Sequence, residues 1–109
     1  MAKIVNCCKH DVEICDEYGN IIKVYKPSGY VARLAHRQKF VDDIDGIPVK
    51  VRENKRIVGL PEPEEDTFYI VSNIVMENCS YRRDIISCGG KYYNDDGSLR
   101  GWTAFERNR

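Results

Sequence analysis

Cys7, Cys8, His10 and Cys15 are of the types that bind zinc or act as nucleophiles, and they crowd the start of the chain. Structural zinc sites draw ligands in pairs two to four residues apart, usually from two separate places. Here one residue separates Cys8 from His10, and Cys7 and Cys8 would point to opposite faces of a strand. Cys79 and Cys88 follow far downstream and form no recognisable knuckle. No metal is therefore expected. A Cys–His nucleophile needs a setting that lowers the thiol pKa, and the sequence around His10 and His36 offers none. Both histidines are read as surface or hydrogen-bonding residues. There is no Gly-x-Ser-x-Gly elbow, no phosphate-cradling Gly-x-x-x-x-Gly-Lys-Ser/Thr and no His-Glu-x-x-His. No catalytic residue and no cofactor is assigned.

Groups that could hold a small anion are better represented. Ser28 and Gly29 offer a hydroxyl and an unobstructed turn amide, and Arg33 follows shortly after. A turn amide with an arginine can hold a phosphate or carboxylate. Arg82 and Arg83 supply further cations, Ser72 a second hydroxyl, and Tyr69 or Trp102 a flat ring on which a base could stack. The acidic runs Glu62 to Asp66 and Asp42 to Asp45 read as solvated loop and turn.

The elements that must position these groups are short β-rich runs. Lys3 to Cys7, Val12 to Cys15 and Ile21 to Lys26 read as strands, the last two joined by a turn at Gly19-Asn20. Tyr30 to Ala35 starts another strand. Lys39 to Ile44 and Ile47 to Val51 flank Asp45-Gly46, a strong hairpin dipeptide, and Arg56 to Leu60 is a further short strand. Two prolines make the 61–66 segment an extended loop. Thr67 to Val71 reads as a central strand covered on both faces. Helical spacing then takes over, predicting one short helix from about Ser72, its N-cap, to Asn78. Asp84 to Cys88, a Gly89-Gly90 turn, Lys91 to Tyr93, a turn at 94–97 and Leu99 to Phe105 complete the chain. The pattern predicts a mainly β single domain over 1–109: a compact barrel or sandwich of about eight short strands with one short helix.

Bulk properties narrow the partners. Seventeen basic residues balance seventeen acidic ones, so the excess cationic charge of a non-specific DNA binder is missing. No run of about 18 apolar residues exists, and no membrane association is expected. The polar N-terminal residues predict no export signal, a cytoplasmic location and free thiols.

The chain resembles a family of small phage and prophage proteins. The likeness rests on Asn6 and His10, on Pro27 to Arg33 as Pro-Ser-Gly-x-Val-Ala-Arg, and on Gly46 to Val49 as Gly-Ile-Pro-Val. Its most specific part is Gly-Leu-Pro-Glu-Pro at Gly59 to Pro63 with Thr-x-Tyr-Ile-Val-Ser at Thr67 to Ser72. Arg82 and Asp84 match an Arg-x-Asp element, and the Asn94 to Gly97 turn resembles a terminal Asp-x-x-Gly hairpin. Cys7-Cys8-Lys9 stands where Leu-Thr-Pro is typical, and Cys88-Gly89 replaces a Pro-Gly. The resemblance implies no settled enzymatic activity. Some small phage proteins blunt bacterial immunity by sequestering nucleotide signals, an analogy of type rather than of site. The leading expectation is thus a non-catalytic, phage-encoded sponge for a small anionic, nucleotide-derived immune signal, working as a homo-oligomer in the host cytoplasm. Its ligand groups would be Ser28, Gly29, Arg33, Tyr69, Ser72, Arg82, Arg83 and Trp102. The alternatives are an interaction or virion-associated protein that binds another polypeptide, and a small nucleotide-degrading enzyme using His10 and a carboxylate.

Overall fold

The computed structural model describes residues 2–108. Among them the chain is mainly β, as its alternating runs predict. The order is β1 (Lys3–Asn6), β2 (Val12–Cys15), β3 (Ile21–Tyr25), β4 (Arg33–Ile44), β5 (Ile47–Val58), β6 (Thr67–Ile70), α1 (Asn73–Glu77), β7 (Ile85–Tyr93) and β8 (Leu99–Glu106). Six strands form one mixed sheet in the order β1-β6-β7-β8-β2-β3, and β4 pairs only with β5. The sheet's edges meet at a single bridge between Asn6 and Pro27, and no continuous ladder closes it there.

The sheet buries both faces of β6, the segment whose unbroken apolar run predicts a central strand. Tyr69 and the following Val71 point to one core, with Val75 and Cys79 of the helical segment, Cys7 and Ile85. Ile70 and Phe68 point to the other, where Val12, Ile14, Tyr25, Ile86, Phe105 and Ile4 gather. That second cluster draws side chains from all six strands of the sheet. The helix is short because nothing sustains it: Ser72 precedes it in extended geometry without a side-chain capping bond, and Asn78 ends it. Among the described residues no helix is long and apolar enough to cross a membrane.

Several boundaries differ from those the pattern predicts. Gly89-Gly90 is no turn but lies inside β7. A Cβ on Gly89 would meet the Glu106 side chain, and one on Gly90, at φ +65°, would meet Thr103 Oγ1. The glycines let β8 approach closely and bend the strand. Of the expected short strands, Arg33 to Ala35 and Lys39 to Ile44 join in one twelve-residue β4, and Ile47 to Val51 and Arg56 to Val58 in one twelve-residue β5, while Tyr30 to Ala32, Gly59 and Leu60 lie outside them. The polar interruptions that look like loops are instead absorbed by irregularities in the ladder, between Ala35 and Arg37 and between Phe40 and Asp42. Asn54 sits at φ +53° beside the first, a conformation asparagine tolerates. Asp45 (φ +54°) and Gly46 (φ +77°) make the left-handed two-residue turn the dipeptide predicts.

Twelve residues of strand span roughly 40 Å, and the molecule's longest dimension is 48 Å. A compact chain of this length has a radius of gyration of about 13 Å; here it is 16.7 Å. The root of the hairpin packs on the body through Ala32, Ile57 and Leu60. From 37 to 56, every residue but Val49 and Glu53 is exposed. The hairpin is an arm.

Candidate functional site

The 27–33 and 59–72 segments fold onto each other. Ser28 N and Ser28 Oγ both donate to the Asn6 carbonyl, at 3.0 and 2.7 Å, which fixes the 26–30 loop against β1. Buried Asn6 holds the same junction: its Nδ2 donates to the carbonyls of His10 and Tyr25, and its Oδ1 accepts from Cys8 N. Across from this loop, the 61–66 segment is tied down from β6 and from the turn before β7. Tyr69 Oη donates to the Glu62 carbonyl (3.0 Å), and Thr67 Oγ1 to that of Glu65 (3.1 Å). Arg82 Nη1 donates to the Pro61 carbonyl (3.0 Å). At Gly59, φ +83°, a Cβ would run into the Val31 carbonyl, so only glycine lets the end of β5 pass this close to the β4 root.

Between the two loops and β1 lies a cleft of about 400 Å³ lined by Lys3, Asn6, Lys26, Ser28, Tyr30, Pro61, Glu64 and Tyr69, with Ile4 and Val5 beneath. Its size falls in the range of small-molecule sites. Its charged lining residues are Lys3, Lys26 and Glu64. Lys26 Nζ stands 3.8 Å from Asp11 in a loose, solvent-exposed pair. Tyr30 is 58% exposed and presents a free ring, whereas Tyr69 is 2% exposed and offers the cleft little beyond an edge.

The eight groups expected to hold a ligand do not converge. Ser28, Tyr69 and, beside them, Gly29 belong to this cleft. Ser72 and Trp102 line a second cleft of about 220 Å³ with His10, Asn73, Cys8 and Cys88. Lys91 Nζ lies 5.8 Å from the Trp102 ring centroid, so a cation occupies part of that ring. Arg33 stands on the arm's root and Arg83 on the opposite loop beside Arg107. Arg82 is engaged internally: Nε and Nη2 donate to the two oxygens of Asp84 at 2.9 and 2.6 Å, and its guanidinium lies 5.6 Å from the Tyr69 ring centroid. The bond to Asp84 raises the Arg82 pKa further. An arginine held by a carboxylate, a carbonyl and a ring does not face a phosphate. Lys3, Lys26 and Tyr30 are the cleft residues that sequence reasoning passes over; the turn Pro27-Ser28-Gly29 between Lys26 and Tyr30 was the available clue.

Burial pushes the thiols of Cys7, Cys8, Cys79 and Cys88 upward, Cys88 to about 11, with its neighbour Cys8 adding to the shift. Protonated at neutral pH, they are poor nucleophiles. Among the described residues no group of three or more His, Cys, Asp or Glu is placed to hold a metal ion. His10 Nδ1 lies 3.0 Å from the Asp11 carbonyl, and His36 Nδ1 is buried without a hydrogen-bond partner, unlike the surface role its sequence suggests.

No known protein family, curated protein or solved structure matches the chain. The likeness to small phage proteins rests on the quoted motifs alone.

Proposed function

We propose that this chain is a non-catalytic binding protein that captures a small anionic, nucleotide-derived ligand in the cleft between the 26–30 and 61–64 loops. One observation carries the reading: the 26–30 and 61–64 loops meet there, with Lys3, Lys26 and an exposed tyrosine around about 400 Å³ of space. The ammonium groups of Lys3 and Lys26 pair with phosphate oxygens as compact point charges. The Tyr30 ring stacks on a base, a contact worth about 1–3 kcal/mol. Glu64, opposite, accepts from a base or ribose donor. In a phage, such capture would withdraw a nucleotide immune signal from its receptor.

Isothermal titration against cyclic dinucleotides and cyclic ADP-ribose isomers tests this directly. At least one ligand gives stoichiometric heat, and Lys26→Ala and Tyr30→Ala each weaken it about tenfold or more. Heating the complex returns the ligand intact, which separates capture from degradation. If folded protein gives no heat with any of them, the reading is wrong.

A further inference from the structure

The β4–β5 arm carries an aliphatic face that nothing covers among the described residues. Residues opposite each other in a ladder share a face, and every second residue of a strand returns to it. Ile47, Val49 and Val51 therefore lie on one face, with Ile44, Asp42 and Lys39 across from them. Ile44 is 61% exposed and Ile47 65%. A lone two-stranded ribbon is marginal in water, and a row of exposed aliphatics on it marks a surface that is met by something.

Charge says by what. Asp42, Asp43 and Asp45 are the only charged residues from 41 to 49, so the arm's end is wholly acidic. The stem, 33–40 and 50–58, holds seven cations against the single acid Glu53. A nucleic acid would be drawn to the stem and repelled by the end. A ribbon acidic at one end and basic at the other is complementary to itself turned through a two-fold axis. Lys39 is already on the aliphatic face, its pair with Glu53 loose at 3.8 Å and open to solvent.

We propose that the arm is a self-association element: two copies lay their aliphatic faces together antiparallel, the end of each on the stem of the other. Centred between the Asp42–Val49 and Lys39–Val51 rows, the two-fold sets Asp42 against Lys39 of the second copy and Val49 against Val51 of the second copy. The same overlay places Ile44 over the aliphatic part of Arg37 and Ile47 over the methylenes of Glu53 of the second copy. This surface shares no residue with the Lys26 cleft, so it stands or falls separately from the ligand reading.

Sedimentation of the full chain tests it. The wild-type protein sediments as a dimer. Ile47→Glu, at a position with no part in the core, weakens dimerisation about tenfold or more with unchanged circular dichroism. Asp42→Lys alone also weakens it, and adding Lys39→Asp to the same chain restores it, which general destabilisation of the arm would not do. A monomeric wild-type protein overturns the proposal, as does a dimer indifferent to Ile47→Glu or a double swap that fails to rescue. An arm that instead retains nucleic acid or another polypeptide overturns it too. In each case the Lys26 cleft is read independently by ligand heat.

Discussion

The tie around Arg82 and the β4–β5 arm use the same residue types to opposite ends. At Arg82 a guanidinium, two carbonyls of the 61–66 loop and a tyrosine close on one another, and the carboxylate of Asp84 comes from two residues away. Side-chain exposure there is 12% for Arg82 and 19% for Asp84. On the arm, cations such as Lys50 and Arg52 stand on strands open to solvent, where Glu53 is the one acid of the stem and the other carboxylates lie at the far end of the ribbon. Whether an arginine becomes internal scaffold or external surface is decided by whether local geometry delivers a carboxylate. Where it does, the pair can be withdrawn from water; where it does not, the charge must stay out and wait for a partner.

The largest test of that contrast is to delete one arginine from each region. Arg82→Ala leaves a part-buried Asp84 uncompensated and frees the Pro61 carbonyl, so unfolding free energy should fall by about 2–4 kcal/mol. Arg52→Ala, on the exposed stem, should change it by less than about 0.5 kcal/mol. Urea unfolding measures both, in an Ile47→Glu background so that self-association does not enter. Equal losses at the two sites would erase the distinction.

A smaller effect probes the same tie from its other side. Tyr69→Phe keeps the ring in the core and removes only the bond to the Glu62 carbonyl. It should lower stability by about 1 kcal/mol and loosen the 61–64 loop. Ligand heat at the cleft should weaken alongside, since Pro61 and Glu64 line it. Unchanged stability with unchanged binding would mean that the loop holds itself.

Much of the body and the arm's tip are legible in the sequence and the arm's length is not, for a physical reason. Thr67 to Val71, Asp45-Gly46 and the 94–97 turn announce themselves because apolar period and turn chemistry are local. The arm's strands are long because pairing with each other tolerates Arg37, Gln38 and Lys55 on open faces, and no apolar period records that. Gly89-Gly90 reads as a turn because the close approach of Glu106 and Thr103 that requires it comes from another strand. The site fails to read out for a related reason. Arg82 looks like a phosphate ligand until its distance to Asp84 is known, and Tyr69 looks like a stacking ring until its burial is. Lys3 of β1 and Lys26 and Tyr30 of the 26–30 loop acquire a common cleft only through the Asn6 and Ser28 bonds that join the loop to β1.

The thiols divide the regions in a last, smaller way, because every cysteine belongs to the body and none to the arm. Cys88 titrates at about 11 in the folded chain against an ordinary value of 9.0. Between those values the unfolded chain has released the proton and the folded chain has kept it, so the unfolded state binds fewer protons and stability falls as pH rises. Below pH 9 both states are protonated and the thiol contributes no slope. The upward shifts at Cys7, Cys8 and Cys79 have the same sign. Lysines and tyrosines titrate nearby, so the readout is the difference between wild type and Cys88→Ala unfolding curves from pH 8 to pH 11. The wild type should lose stability more steeply over about pH 9–11, and Ile47→Glu on the arm should leave that slope unaltered. A slope that follows the arm variant and ignores Cys88→Ala would place the alkaline weakness in the arm's lysines and not in the buried thiols of the body.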